Sequence, residues 1–532
     1  MLEHMIGARL LLSFAGTEAP NEVLARIATQ RPAGVTLFRH ANAVAPAQVR
    51  ALNAALQRAA RAAGLPALLI CADQEGGQLQ AVAGLTPFPG NLALGAVGDA
   101  DLARRVGIAL GRELAAVGVN VNYAPVCDVN VNPANPVIGA RAFGEEPALV
   151  ARLAAALVDG LQAAGVAATA KHFPGHGDTA ADSHHALPTL PHDQTRMDAV
   201  ELAPFRAAIS AGVRLVMSAH LAVPALTGDP GLPATLAAPI LRDLLRGRLG
   251  FEGVVVSDSL AMAAVTGGAS LPETALRAAL AGVDLLLLQH SPAEESAVYE
   301  RLLAAARIGM LDPTELAASA ARVARLQHRA ATQSQPDLEV IGCANHRALA
   351  AEVARRAITL VHDQQGLLPL RLPADARVAV VVPQPADLTP ADTSSYEQAD
   401  LAGAVRRFHS GARGFSVPAD PTPSDIAQLR VALAGYELAI VATINAWQQP
   451  GQAALVQALL TDGVPTVVAA LRLPYDLGCF PEARTFVAAY SLLPPSLDAL
   501  AAALWGMLPF AGRLPVSVPG IYPAGHRAEL SR

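Results

Sequence analysis

The stretch Lys171-His-Phe-Pro-Gly-His-Gly-Asp-Thr-Ala-Ala-Asp-Ser-His-His-Ala-Leu-Pro188 is the densest run of groups able to move a proton or hold an ion: Lys171, His172, His176, Asp178, Asp182, His184 and His185. Its glycines and prolines break helix and strand alike, so it reads as a long loop. Long polar loops held by a rigid scaffold carry function disproportionately. A second segment, Gly253-Val-Val-Val-Ser-Asp-Ser-Leu-Ala-Met262, is an apolar strand that ends on Asp258. A carboxylate so presented can attack an electrophilic carbon. Glycosidases that work through a covalent intermediate pair such a nucleophile with a proton donor, about 5 to 5.5 Å away when the donor is also a carboxylate. No second acidic residue stands out as that donor. On residue type alone Asp258 also reads as a helix cap or an ion-pair partner, and His184 and His185 compete equally for the role of titrating imidazole. Imidazoles and carboxylates here also suit zinc, but no helical His-x-x-x-His or cysteine pair accompanies them, so no metal and no cofactor is expected.

These groups need a frame. Apolar runs at Ile6–Phe14, Gly34–Phe38, Ala67–Ala72, Val119–Val126, Val166–Ala170, Val213–Ser218, Gly253–Ser257 and Gly282–Leu288 read as strands. Between them, Pro46–Ala63, Asp101–Val117, Glu146–Ala164, Met197–Ala211 and Ala237–Arg248 carry apolar spacing of helical period. Alternating strands and helices argue a parallel sheet, and eight units without a glycine-rich phosphate-binding turn argue an α/β fold of the (β/α)8 barrel type. Barrels place their chemistry at the carboxyl ends of the strands, and Arg39, Asp73, Asp128, Lys171, His172, His220 and Asp258 all fall there.

At 532 residues the chain exceeds what one core supports. The predicted organisation is a barrel over 1–330, a linker over 331–350 and a smaller α/β sandwich over 351–532, with strands at Val378–Val382, Leu438–Thr443, Thr466–Leu471, Thr485–Tyr490 and Leu514–Val518. No catalytic constellation is visible in the second domain. With 52% hydrophobic and 16% charged residues and a net charge of -6, the chain has the composition of a globular α/β protein and lacks the basic field that nucleic acid requires. The four cysteines are scattered singly and are expected to be reduced. Neither a membrane span nor a leader is visible, so no membrane partner and a cytoplasmic location are expected.

Four motifs in order, Asp73-Gln-Glu-Gly-Gly77, Asp128-Val-Asn-Val-Asn-Pro-Ala-Asn-Pro-Val-Ile-Gly-Ala-Arg141, Lys171-His-Phe-Pro-Gly-His-Gly-Asp-Thr179 with Asp182-Ser-His184, and Ser257-Asp-Ser-Leu-Ala-Met262, resemble glycoside hydrolase family 3, in its β-N-acetylglucosaminidase branch. The likeness covers the barrel, and 351–370 resembles the start of that family's C-terminal domain. It implies a retaining exo-glycosidase that releases terminal β-linked N-acetylglucosamine from small cell-wall or chitin fragments. Asp258 would be the nucleophile and His184, paired with Asp182, the acid/base. Asp73, Arg141, Lys171 and His172 would hold the terminal sugar, with Arg39 in the same pocket. One departure is that the family's arginines after the paired glycines are Gln78 and Ala81 here. Three alternatives remain: phosphate as acceptor, a β-glucosidase, or a non-catalytic glycan-binding protein.

Overall fold

The computed structural model describes residues 2–183, 186–289 and 291–530. Eight parallel strands form the first sheet: β1 (Leu10–Leu12), β2 (Gly34–Leu37), β3 (Leu69–Ala72), β4 (Val121–Asn122), β5 (Ala167–Phe173), β6 (Leu215–Ser218), β7 (Val254–Ser257) and β8 (Leu286–Leu287). Neighbours pair in chain order. Leu10 opposite Leu286 joins β1 to β8, and a bridge from Val256 to Leu285 completes the ring. The period of two sorts the side chains. Leu69 and Cys71, Leu215 and Met217, Val254 and Val256 fill the barrel interior, while Leu10, Leu12, Val35, Leu37 and Ile70 face the surrounding helices. Tyr123 is buried inside the barrel, with its hydroxyl 3.0 Å from Thr36 Oγ1.

Three sequence expectations are corrected here. The apolar run from Ile6 starts as a helix, Leu2–Gly7, because its residues bury against the helix Pro292–Arg307 before the strand begins. The helix expected over 197–211 is two, Gln194–Ala199 and Ala203–Ser210, since Pro204 has no N–H with which to continue the first. The expected strand at Leu514–Val518 is not one: the Pro515 carbonyl accepts from Glu145 N at 3.1 Å, and the Ser517 amide donates to Glu145 Oε2 at 2.7 Å, so this segment is tied to the barrel.

The second sheet contains β9 (Thr359–Asp363), β10 (Val378–Pro383), β11 (Arg413–Val417), β12 (Leu438–Thr443), β13 (Thr466–Ala470) and β14 (Thr485–Ala488), in the order β9-β14-β13-β12-β10-β11. Only β9 runs antiparallel, against β14. β9 and β11 escape the sequence reading, being at the two sheet edges; β11 is largely exposed and has little apolar signal. Strand order reverses at β10, which is flanked by β11 on one side and β12 on the other.

A helix, Ala344–Ala357, begins within the stretch read as linker and packs on helices of both domains. Its seat depends on the fully buried Glu113. That carboxylate accepts from Thr86 N at 2.7 Å, Thr86 Oγ1, Gly342 N at 3.0 Å and His346 Nδ1 at 2.7 Å. Removing it strands these donors in a dry place. Glu113→Ala is expected to cost on the order of 3 kcal/mol, measured as a lowered urea midpoint; an unchanged midpoint would contradict this account of the joint.

Candidate active site

A cavity of about 660 Å³ opens at the carboxyl ends of the barrel strands. Its wall holds a buried cradle of charge. Lys171, near the carboxyl end of β5, donates to Asp73 Oδ1 at 2.5 Å and lies 2.6 Å from Glu75 Oε1. Arg141 forks onto the same Glu75, Nε to Oε2 at 3.0 Å and Nη2 to Oε1 at 2.8 Å. Lys171 and Glu75 are each 1% exposed, and Asp73, at 23%, faces the cavity. Burial opposes ionisation of Glu75, but Arg141 and Lys171 overcome it and hold the carboxyl down to about 2. Burial likewise opposes the charge on Lys171, and Asp73 and Glu75 outweigh it and raise its pKa. At Asp73 burial wins over Lys171, and the pKa is raised.

A second chain runs from β5 to the long loop. Asp128 accepts from the backbone N–H of His176 at 2.6 Å and of His172 at 3.2 Å, and its Oδ2 lies 2.7 Å from His172 Nδ1. Burial first, then Arg141 and Lys171, push the His172 pKa well down, so its imidazole is neutral. His176 is lowered by burial as well, in spite of Asp128. The His176 ring spans Thr179 Oγ1 at 2.7 Å and Ser183 Oγ at 3.1 Å. Gly177 tolerates no side chain, since a Cβ would sit 1.9 Å from the Val129 carbonyl. The loop is thus pinned on both sides of its turn, and Ser183 is buried in the cavity lining beside half-buried Asp182. His184 and His185 lie outside the described residues.

Asp258 follows β7 and lines the cavity. Its Oδ1 accepts from Ser259 N at 2.7 Å. Behind it, buried His220 bridges Thr235 Oγ1 at 2.8 Å and donates from Nε2 to the Ser259 carbonyl at 2.9 Å. His220 therefore braces the turn that carries Asp258.

The other wall comes from the second domain, where sequence reasoning found nothing. Asp387, Thr389, Pro390, Ala391 and Tyr396, in the loop after β10, line the cavity. Arg39 Nη2 pairs with Glu397 of that loop at 3.1 Å, and its guanidinium lies 4.8 Å over the Tyr396 ring. The loop is held by Asp392, which receives Arg472 at 2.9 Å, and by Thr393, which bonds the Gln78 carbonyl through Oγ1 at 2.9 Å. Its position follows a rule legible in hindsight: open α/β sheets present ligands at the carboxyl ends of strands where the order reverses, here between β10 and β12. In this protein the barrel segment Asn135–Ala140 fills that crevice, with Asn445, Trp447 and Leu473 around it. Gln78 belongs to this interface rather than to the cavity, donating to the Ala391 carbonyl at 3.3 Å, whereas Ala81 does line the cavity. Gln78 therefore gives no support to a glucose pocket.

Among the described residues, the carboxylates and imidazole close enough to share an ion are Asp178, His192 and Glu201 at the loop's base. Arg196 lies 3.5 Å from Asp178 and 3.2 Å from Glu201, supplying positive charge there itself. No described helix is long and apolar enough to cross a membrane.

Residues 4–326 match the family described as Glycosyl hydrolase family 3 N terminal domain. A "Beta-N-acetylglucosaminidase/beta-glucosidase" of Cellulomonas fimi is 35% identical over 481 residues, 84% of this chain and 83% of the relative. The "Beta-hexosaminidase A" of Pseudoalteromonas piscicida is 36% identical over 411 residues, 69% and 68% of the two chains. A solved glycoside hydrolase family 3 β-N-acetylglucosaminidase from Paenibacillus sp. str. FPU-7 has a TM-score of 0.93 at 38% identity, covering 97% of this chain and 99% of that one. The chain belongs to glycoside hydrolase family 3 and is a hydrolytic enzyme of two domains.

Because the folded pKa of Glu75 is depressed, its stabilising contribution is present above the ordinary value of 4.5 and is lost as pH falls through about 2. That contribution is on the order of 3 kcal/mol. The stability gap between the wild type and Glu75→Gln, from urea melts at stepped pH, is expected to narrow across that window; a constant gap would contradict the charge cradle.

Proposed function

We propose that this enzyme releases terminal β-linked N-acetylglucosamine from small glycans with retention of configuration. One observation carries the reading. Asp258, at a strand end, and Ser183, the middle residue of Asp182-Ser183-His184, line one cavity together with the Lys171–Asp73 pair. In the first step the Asp258 carboxylate attacks C1 and the C1–O bond breaks, while His184 gives its proton to the departing oxygen. In the second step water yields a proton to the same imidazole and attacks C1, and the sugar leaves as Asp258 regains its carboxylate. In this reading Asp182 is the partner of His184, and a carboxylate partner favours the imidazolium and fixes the tautomer of the ring.

Asp73 and Lys171 are the charged acceptor and donor that face the cavity from the cradle, suited to adjacent hydroxyls of the terminal sugar. Arg141 and His172 line the same wall. Arg141 is held by Glu75, and His172 by Asp128, so they fix the wall as well as touch the sugar. Arg39 lines the same cavity, paired with Glu397 of the loop after β10. A cavity closed on one side by the barrel and on the other by the loop after β10 suits removal of one end sugar at a time. The names of the Pseudoalteromonas relative and of the Paenibacillus structure support the choice of amino sugar, while that of the Cellulomonas relative carries both β-N-acetylglucosaminidase and β-glucosidase.

Assayed side by side, p-nitrophenyl β-N-acetylglucosaminide is expected to be cleaved faster than the β-glucoside. Asp258→Ala and His184→Ala should each lower kcat on it, by at least about 100-fold for the proton donor and more for the nucleophile. Preference for the glucoside would overturn the sugar, and full activity of His184→Ala the proton donor. Sugar 1-phosphate appearing on addition of phosphate would replace water as the acceptor in the second step.

A further inference from the structure

The outer part of the cavity is built by the second domain. Tyr396 lines it and is 51% exposed. One face of its ring is covered by the Arg39 guanidinium, and the exposed remainder is an aromatic surface beside the cavity mouth. Aromatic rings in such positions stack on the apolar face of a sugar. The charges around this ring are unevenly balanced. Among the described residues, each lysine and arginine of the lining is already held by a carboxylate of the protein: Lys171 and Arg141 by Glu75, at 2.6 and 2.8 Å, and Arg39 by Glu397 at 3.1 Å. Behind the loop Asp392 is matched by Arg472. Asp387 adds a further carboxylate at the mouth. Its oxygens accept from Ser395 N at 2.7 Å and Ser395 Oγ at 2.6 Å, contacts that fix it without neutralising it.

From this we infer that the Tyr396 wall is the subsite for the leaving part of the substrate, and that Asp387 and Glu397 make it select uncharged leaving sugars over those bearing a carboxylate. The inference rests on the N-acetylglucosaminidase reading and narrows it. A carboxylate beside Tyr396 meets Asp387 and finds Arg39 already paired; Asp387 is exposed, so water weakens the repulsion without removing it. The class of substrate that fits is the neutral β-linked amino-sugar oligomer. Cell-wall disaccharides whose second sugar carries a lactyl ether acid do not fit.

The test uses the full-length enzyme and a matched pair: N-acetylglucosamine β-1,4-linked to N-acetylmuramic acid, and the methyl ester of the same disaccharide, with diacetylchitobiose as neutral reference. The ester keeps the bulk of the lactyl group and removes its charge. The acid is expected to have a kcat/KM about threefold below that of the ester, the size of a repulsion between exposed charges. High salt should shrink the ratio, Asp387→Asn should bring it towards one, and Glu397→Gln, which releases Arg39, should invert it. Tyr396→Ala should raise KM for the acid and the ester together and leave their ratio alone. Equal rates on acid and ester in the wild type, or a faster acid, would overturn the inference while leaving the function intact. Failure to release N-acetylglucosamine from any of the three, chitobiose included, would overturn the function and this inference with it.

Discussion

Burying four charged groups side by side at a barrel mouth is tolerable only when each has its partner in place. Lys171, Asp73, Glu75 and Arg141 meet that condition through contacts of 2.5 to 3.0 Å. They come from separate parts of the chain: Lys171 from the end of β5, Asp73 and Glu75 from just after β3, and Arg141 from the long connection that follows β4. No one of them can move far without leaving a bare charge, so the cradle fixes how those connections sit. The next layer follows from it. Arg141 lies 3.4 Å from His172, His172 is held by Asp128, Asp128 takes the His176 amide, and His176 holds Ser183. A chain of polar contacts therefore runs from the buried cradle to the residue beside Asp182.

The second domain is part of this arrangement. An open sheet with reversing strand order has a crevice at the carboxyl ends of its strands, and here a barrel segment fills it. The loop after β10 is displaced across the barrel mouth and walls the cavity. Glu113 and the helix Ala344–Ala357 hold the two bodies together at a distance from the chemistry. The barrel thus carries Asp258, the Lys171–Asp73 pair and Ser183 on one side of the cavity, and the second domain forms the other side.

Much of this was legible in the sequence. All eight barrel strands show as apolar runs, because interior and helix-facing positions are both apolar in a parallel sheet, and the strand-end rule picks out Asp73, Lys171, His172 and Asp258. The loop after β10 was not legible. Asp387, Tyr396 and Glu397 lie in a polar stretch with no motif, and their relevance depends on a contact between residues far apart in the chain, Arg39 and Glu397. Glu75, two residues beyond the strand-end Asp73, carries no positional signal of its own in the sequence, yet it is the carboxylate that both cations share. His220, which the strand-end rule also picks out, lies behind the turn, since Thr235 and the Ser259 carbonyl take both its nitrogens.

The account stands or falls on a covalent bond at Asp258. Incubation with a slow, fluorinated N-acetylglucosaminyl donor that accumulates the first intermediate, followed by proteolysis and mass spectrometry, tests it directly. The account predicts one N-acetylglucosaminyl group on the peptide that contains Asp258, released when an acceptor restores turnover. A label on any other residue, or steady turnover of the unfluorinated substrate with inversion at C1, would contradict it.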